Sequence, residues 1–394
     1  MNKAFLSSIA GLAILLAMFG SACAAEEYAA VKHGQTFGMG SPATTPNPSR
    51  VTLKGSAKTA GDMTTTIIIH VPRGVQSLKV NIPLPANINL VGWRQSAGTY
   101  KVTSVPVAAS SELRKDAYGN AFQVLSFTDP AYGDIVVTAD MKTIGASVDL
   151  NLPLPAAPFP LRSVPDDIAL YTKPTSMAQS DNAAIIDLSK QLTTGAKDEA
   201  AAVRQIASWV FANIAYSNDA PVVANAAQTL ETKSGQCRGY AYLFAALARA
   251  AGIPVRGVCG YTVEGSTVVP LSDDGGSTIK VRLHDVPHAW VEVWYPEGGW
   301  VPYDPQLTAG FLDIHHVRSA VAEPTDYETP IVEWTGSGEK WRNLSYDEDD
   351  VSANFVDTTA LAFDSGNVTT SRVLLERRIA SLPTKVSSSN TVNR

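Results

Sequence analysis

Apolar residues follow one period before about residue 160 of the chain and another after it. From Val51 to about Pro160, short runs rich in β-branched and aromatic residues alternate with turn signals such as Tyr118-Gly119-Asn120. Regularly spaced short strands with almost no helical period are typical of a β-sandwich. The predicted strands are Thr64–Val71, Ser77–Ile82, Lys101–Val107, Phe122–Thr128, Ile135–Ala139 and Ser147–Leu152.

A helical period begins after a proline-rich boundary that ends at Pro165. Apolar residues then recur every three or four positions, which predicts helices over Asn182–Leu192, Asp198–Ile214 and Cys237–Ala251. Gly252 and Pro254 end the third helix. Its apolar face comprises Tyr240, Leu243, Phe244, Leu247, Ala248 and Ala251.

The first 25 residues have the pattern of a signal peptide, with Lys3 followed by a mostly apolar, uncharged run. Small residues in Ala22-Cys23-Ala24 suit ordinary cleavage, whereas Gly20-Ser21-Ala22-Cys23 resembles an imperfect lipoprotein box. We therefore expect an exported protein of the periplasm or cell envelope, bound to a membrane only if Cys23 is lipidated. No later segment has the length and apolarity of a membrane span.

Composition limits the partners and suggests the domain organisation. The chain has 31 Lys and Arg against 37 Asp and Glu, a net charge of −6, and no basic cluster, which argues against a nucleic-acid partner. Residues 26–50, rich in Gly, Ser, Thr and Pro, predict a linker. We predict a β-rich domain over residues 51–160, an α+β domain over 161–320, and an extension without assigned structure over 321–394.

One cysteine stands at the start of the third predicted helix. Ser234 is placed to cap that helix, which leaves Cys237 in the first turn. Backbone N–H groups and the positive end of the helix dipole favour thiolate over thiol there. Because the thiolate is the nucleophilic form, Cys237 is a candidate catalytic nucleophile.

Two short predicted strands downstream supply a base and a carboxylate. His288 opens the run His288-Ala289-Trp290-Val291-Glu292, and Asp304 follows Trp300-Val301-Pro302-Tyr303. A Cys, a His and an Asp on such elements can act as nucleophile, base and orienting carboxylate. His284 competes as the base, but Pro287 excludes a helical zinc-binding His pair, and we predict no metal and no cofactor.

Taken together, these motifs resemble the transglutaminase-like superfamily of papain-like thiol enzymes, in its exported bacterial type. The resemblance runs from about Asp181 to Asp304 and is carried by Gly-Gln-Cys, Gly-Ile-Pro-Val-Arg, His-Ala-Trp and Trp-Val-Pro-Tyr-Asp-Pro. It implies an α+β core in which the Cys-bearing helix packs on an antiparallel sheet. It also favours His288 over His284, since only His288 precedes Ala-Trp.

The resemblance further implies an upstream donor that completes an oxyanion hole with the backbone N–H of the cysteine. Tyr216 is our first choice for this donor and Gln228 the second. Animal transglutaminases use a Trp in this region, and none occurs between Trp209 and Cys237.

Structural interpretations compete for several of these residues. Cys237 and Cys259 could form a disulfide, because a helix of about 22 Å and a return strand of roughly 18 Å bring Cys259 back towards the helix start. The adjacent His315 and His316 are expected at the surface. The acidic run Tyr346–Asp350 is expected to be a solvated turn, because it lacks the ligand spacing of a calcium loop.

The predicted chemistry is thiol-dependent acyl transfer on a protein or peptide amide. Water would resolve the acyl-enzyme in a peptidase or amidase, and an amine would do so in a transglutaminase. Arg238 stands where animal enzymes have a Trp, which leaves a polar wall beside the thiol and favours hydrolysis. A catalytically silent envelope-binding or scaffold protein with the same fold is one alternative, and a disulfide-stapled domain without activity is the other.

Overall fold

The helical and strand patterns of the sequence form helices packed on a four-stranded antiparallel sheet, next to a larger β-rich region. The computed structural model describes residues 27–32, 35–37, 48–221, 224–271, 277–338, 340–369 and 372–380. The predicted leader, with Cys23, lies outside the described residues. Within the described ranges, no helix has the length and apolarity to cross a membrane.

The elements occur in three groups along the chain. The strands before the first helix are β1 Glu27–Lys32, β2 Gln35–Phe37, β3 Ser49–Val71, β4 Val75–Leu84, β5 Ile88–Leu90, β6 Trp93–Ser96, β7 Thr99–Val105, β8 Ser110–Lys115, β9 Ala121–Thr128 and β10 Gly133–Asp149. The helical group comprises α1 Asp166–Ala169, α2 Ala183–Thr193, α3 Glu199–Asn213, β11 Ala215–Tyr216, α4 Ala226–Thr232, β12 Ser234–Gly235 and α5 Cys237–Ala250. The strands that follow are β13 Val255–Thr262, β14 Gly265–Pro270, β15 Ser277–Leu283, β16 Val286–Tyr295, β17 Gly299–Tyr303, β18 Thr308–Ala309, β19 His316–Val321, β20 Val332–Gly336, β21 Ser345–Asn367 and β22 Val373–Arg377.

Helix α5 is buried on nearly every side. Its residues from Cys237 to Arg249 are all buried, since α2 and α3 pack around it and the sheet β17-β16-β13-β19 lies beneath it. Asn182 and Asp198 cap α2 and α3 with their side chains, as short polar residues do at helix starts. The predicted bounds of all three helices are confirmed to within one residue.

Alternation of side chains along β16 divides them between two cores. Val291, Val293 and Tyr295 lie in the core beneath the helices. Trp290 lies in a second core that also contains residues of the β-rich region, among them Val51, Leu53 and Trp93. The sheet is therefore covered by helices on one face and by the β-rich region on the other.

The β-rich region contains two sheets, with strand orders β18-β22-β3-β10-β6-β5 and β20-β4-β9-β8. In the larger sheet β3 also pairs with β21, and β10 also pairs with β7. Apolar residues of β3, β4, β9 and β10 share one core between the sheets. A mixed fold in which a β-rich region precedes the α+β core is thus confirmed.

Strands from distant parts of the sequence complete this region. The segment after residue 320, to which the sequence assigned no structure, supplies β20 to β4 and both β21 and β22 to β3. Tyr346–Asp350 belongs to β21, so the expected acidic turn is wrong. Its acidic composition is typical of a turn, and the strand with which it pairs is almost 300 residues away in sequence.

Two other predictions differ from the structure for the same reason. Ile135–Ala139 and Ser147–Leu152 were predicted as separate strands, but β10 runs through both as far as Asp149, with an irregularity between Met141 and Ile144. Residues 26–50, predicted as a linker, include β1 and β2, and β1 pairs with β15. Local patterns do not show which segments will pair across the fold.

Candidate active site

Cys237 is the first residue of α5, and no side chain caps this helix. The N-cap position belongs to Gln236, which makes no capping hydrogen bond. Its side chain instead donates to the carbonyl oxygen of Ala220 at 3.0 Å. Ser234, expected to be the cap, lies in β12 and pairs with Ala215, so that prediction is wrong. No capping side chain therefore offsets the positive end of the helix beside Cys237.

The Cys237 side chain packs against Ala289, the residue that follows His288. Tyr216 packs against the same pair. It reaches this place because β11 pairs in parallel with β12, where Tyr216 is in register with Gly235. The structure shows no disulfide between Cys237 and Cys259, although the sequence left that possibility open.

His288 and Asp304 form a buried hydrogen-bonded pair. Nε2 of His288 lies 3.0 Å from Oδ2 of Asp304, and the two side chains are 2% and 0% exposed. Asp304 directly follows β17, which pairs with β16, so strand pairing brings the two residues together. Burial alone would raise the pKa of Asp304, but His288 and His316 hold that pKa well below its usual range. Asp304 is therefore a carboxylate at neutral pH that can orient the His288 ring.

His316 is a third member of this group that the sequence interpretation missed. Its Nε2 lies 3.3 Å from Oδ2 of Asp304, and its Nδ1 lies 3.2 Å from Oδ1 of Asp313. The neighbouring His315 is also buried, and its Nδ1 lies 3.1 Å from the other oxygen of Asp313. The expectation that both histidines lie at the surface is wrong, since a single carboxylate holds both rings. The run Asp313-Ile314-His315-His316 is the one signal that the sequence offered.

The ligand atoms of His288, Asp304 and His316 lie within 4.8 Å of one another, a grouping that by distance and atom type could hold a metal ion. Both Nε2 atoms, however, approach the same Asp304 oxygen at hydrogen-bonding distance. His316 also has a carboxylate oxygen at its second nitrogen. That pattern is one of proton donation, whereas a metal is bound by a nitrogen lone pair.

Gln228, the second candidate for the oxyanion hole, closes the start of α4. Its Oε1 accepts the backbone N–H of Asn225 at 3.1 Å, and Oδ1 of Asn225 accepts that of Gln228 at 2.9 Å. This reciprocal capping box leaves the Gln228 side chain exposed. Of the two candidates, the structure brings Tyr216 to the cysteine.

A cavity of about 460 Å³ lies beside the first turn of α5. It is lined in part by Arg238, Tyr242 and Cys259 of the core and by Tyr118 and Phe122 of the β-rich region. Cys259 is the register partner of Ala289 across β13 and β16, so the cavity adjoins the strand position on which Cys237 packs. Arg238 donates to Glu328 at 2.9 Å, and this ion pair forms part of the wall.

Comparison with known proteins agrees with this arrangement. Residues 186–305 match the family model of the transglutaminase-like superfamily. The chain contains a transglutaminase-like domain. Cys237, His288 and Asp304 all fall within the matched residues, whereas His316 lies beyond them.

Two curated proteins resemble part of the chain in sequence. Over 116 residues the chain is 36% identical to the protein-glutamine gamma-glutamyltransferase of Pseudomonas aeruginosa, which covers 29% of this chain and 16% of that protein. Over 83 residues it is 41% identical to the uncharacterized protein YebA of Bacillus subtilis (strain 168), which covers 21% of this chain and 11% of that protein. The chain thus spans only a small part of the length of these relatives.

One solved structure resembles most of the chain. It is a candidate cysteine protease from Cytophaga hutchinsonii, with a TM-score of 0.54 and 17% sequence identity. The match covers 79% of this chain and 99% of that one, and it shows a shared fold.

Proposed function

We propose that the chain is a thiol-dependent acyl-transfer enzyme that acts on protein or peptide amides through Cys237, His288 and Asp304. The observation that carries this proposal is the buried pair of His288 and Asp304, one residue along β16 from the Ala289 on which Cys237 packs. Buried titratable pairs with strongly shifted pKa values cluster at functional sites. A catalytic histidine uses such a carboxylate, because the imidazolium that forms during acyl transfer has to be stabilised.

Each residue then has a distinct role. The Cys237 thiolate attacks the amide carbonyl, and backbone N–H groups of the first turn of α5, with the Tyr216 hydroxyl, stabilise the oxyanion. Since Asp304 binds Nε2 of His288, the ring acts on the thiol and on the leaving amine through Nδ1. His288 delivers its proton to the amine, and the acyl group remains on sulfur as a thioester.

Hydrolysis of that thioester is our preferred outcome. Transfer to an amine requires water to be kept from the thioester while a neutral amine is admitted. Arg238, the residue after the thiol, is instead part of an ion pair in the wall of the adjoining cavity. Charged walls retain water, so water is expected to compete well with an amine.

The test is to incubate the protein with a glutamine-containing peptide and a large excess of a primary amine, and to resolve the products by mass. We expect hydrolysed or deamidated peptide to outweigh the amine adduct. A large excess of adduct would show a cross-linking transglutaminase instead. No product of either kind, with a properly folded protein and a panel of peptides, would favour a silent binding or scaffold role. Cys237→Ala is the matched control for all products.

We also propose that the enzyme is exported. The apolar run after Lys3 and the small residues before Ala25 motivate this proposal. The test is the intact mass of protein from the cell-envelope fraction of the producing bacterium. Loss of about 25 residues supports ordinary cleavage, an added diacylglyceryl group at Cys23 supports lipidation, and full-length protein in the cytoplasm contradicts export.

A further inference from the structure

Beyond the His288–Asp304 pair, imidazoles and carboxylates alternate in a continuous chain that ends near the surface. Asp304 contacts His316, and His316 contacts Asp313. Asp313 contacts His315, whose Nε2 lies 2.9 Å from Oδ2 of Asp357 on β21. His315, His316 and Asp304 are no more than 1% exposed, whereas Asp357 is 31% exposed. This series of side chains links the site to a strand of the β-rich region.

The hydrogen-bonding partners of His316 determine its charge. An ionised carboxylate can only accept hydrogen bonds, so a ring nitrogen beside such an oxygen has to carry a proton. Both nitrogens of His316 have carboxylate partners, Asp304 on one side and Asp313 on the other. Burial opposes the charge, but these partners raise the pKa of His316 above its usual value. Both contacts favour the imidazolium form of His316.

Among the described residues, His288, Trp290, Thr262 and His315 are the other neighbours of His316. His288 approaches it with ring centroids 5.5 Å apart, and Trp290 meets it edge to face with centroids 5.3 Å apart. On β13, the neutral Thr262 is its register partner. His315 precedes it in the chain and faces Asp313 and Asp357. The cation therefore acts on Asp304 and Asp313, which it contacts directly, and on His288, whose ring centroid is 5.5 Å away.

We propose that His316 is a positioning residue of the thiol site, an imidazolium that fixes the Asp304 carboxylate and keeps His288 able to release its proton near neutral pH. This inference rests on the proposed function. Without the cation, the full charge of Asp304 would act on His288, and the ring would hold its proton too tightly. The missing positive charge would also make the Cys237 thiolate harder to form. Both effects shift the working pH range of the site upwards.

The test is the rate of alkylation of Cys237 by a small neutral alkylator as a function of pH, followed by peptide mass. Wild type is compared with His316→Gln, which retains hydrogen-bonding capacity but no charge. His70→Gln is the matched control, because His70 also lies between two carboxylates, Asp134 and Asp347, but is 43% exposed and belongs to β3. With the charge 5.5 Å from the His288 ring, we expect an alkaline shift of about one to two pH units in His316→Gln. On the acid side of the profile, a shift of one unit lowers the alkylation rate about tenfold, and a larger shift lowers it further. His70→Gln should retain the wild-type profile.

The outcomes separate this inference from the proposed function. If wild-type Cys237 titrates as an ordinary thiol, the proposed function fails. If wild type has an activated thiol and His316→Gln retains the same profile, only the role of His316 is overturned. Should the variant not fold, ¹⁵N NMR of histidine-labelled wild type still decides. The signals of His70 are assigned by their absence in His70→Gln. Both ring nitrogens of His316 are expected at imidazolium shifts across neutral pH, and a neutral tautomer there would overturn the inference.

Discussion

Two carboxylates of the transglutaminase-like domain are fully buried, yet their surroundings leave them in opposite states of charge. Asp304 has imidazoles of His288 and His316 at one oxygen and the backbone N–H of Gln306 at the other, and its pKa lies well below the usual range. Glu199 has no hydrogen-bond partner at either oxygen within the described structure. Burial, with the charge of Asp198, raises the pKa of Glu199 to about 8.

The two carboxylates differ in charge because their hydrogen-bonding partners differ, and not because one is more deeply buried. Both side chains are 0% exposed. A buried carboxylate keeps its charge only where cations and N–H donors replace the water it has lost. The fold supplies these partners around Asp304, where the proposed chemistry uses a charge, and leaves Glu199 to be protonated inside the helical core. Asp198 caps α3 with its side chain, and the next residue, Glu199, is buried in the first turn of the helix.

The largest expected effect is on activity, which should fall when Asp304 is replaced but not when Glu199 is replaced. Asp304→Asn should lower kcat/KM for a peptide amide by about 10³-fold or more, because an amide neither favours the required His288 tautomer nor stabilises its imidazolium. Glu199→Gln should change kcat/KM by less than about twofold, since it neutralises a group that is already neutral. Hydrolysis rates of the two variants, with circular dichroism to confirm folding, give the comparison. Near-wild-type activity in Asp304→Asn would show that the triad is misassigned.

A second effect concerns stability at alkaline pH. Burial opposes the charge of His315, but Asp313 and Asp357 raise its pKa to about 9. A raised histidine pKa stabilises the fold fully below the unfolded value of about 6.5, and that stabilisation is lost as the pH rises through about 9. The free energy of unfolding attributable to this group should fall by roughly 2–3 kcal/mol over that interval. Urea unfolding of His315→Gln should give a flatter pH dependence than wild type, and a parallel curve would contradict the assignment.

The third effect is a gain in stability at alkaline pH when Glu199 is replaced. Because the pKa of Glu199 is raised in the folded state, the wild-type fold loses stability as the pH rises from about 4.5 to about 8. Glu199→Gln removes that loss, and the variant should be more stable than wild type by roughly 4 kcal/mol at pH 8 and about equally stable at pH 4. Urea midpoints at the two pH values decide. A variant that is destabilised at both would mean that Glu199 has a partner outside the described residues.

The smallest effect is expected at the surface. His70→Gln also removes an imidazole between two carboxylates, but His70 and both partners are at least 43% exposed. Exposed ion pairs are screened by water and salt, so the loss in unfolding free energy should stay below about 1 kcal/mol. Thermal unfolding at low and high salt measures it. A loss as large as that of His315→Gln would show that burial does not set the strength of these contacts.

The sequence predicted the elements that carry Cys237 and His288 because those elements are local. The period of Tyr240, Leu243 and Phe244, with a Gly-Pro stop, was sufficient for α5, and β-branched runs were sufficient for β16 and β17. The motifs around Cys237, His288 and Asp304 identified the family for the same reason. Where the determinant was a local period or motif, the prediction is confirmed by the fold.

What the sequence could not supply are contacts between distant segments. His316 lies beside Asp304 because β19 pairs with β13. His315 contacts Asp357, which lies on β21 of the β-rich region. The run Asp313-Ile314-His315-His316 was the only local sign that one carboxylate would contact both rings. The capping of α5 was misjudged similarly, since Ser234 is drawn into a strand by pairing with Ala215.

The most direct test of the central claim is the ratio of alkylation rates of Cys237 and Cys259 in the same folded protein at about pH 6, read by peptide mass. Cys237 lies at an uncapped helix start, whereas Cys259 lies within β13. A thiol activated by that helix and by His288 should react at least about tenfold faster than an ordinary one at this pH. The account predicts such a ratio for wild type. Equal rates for the two thiols would contradict it.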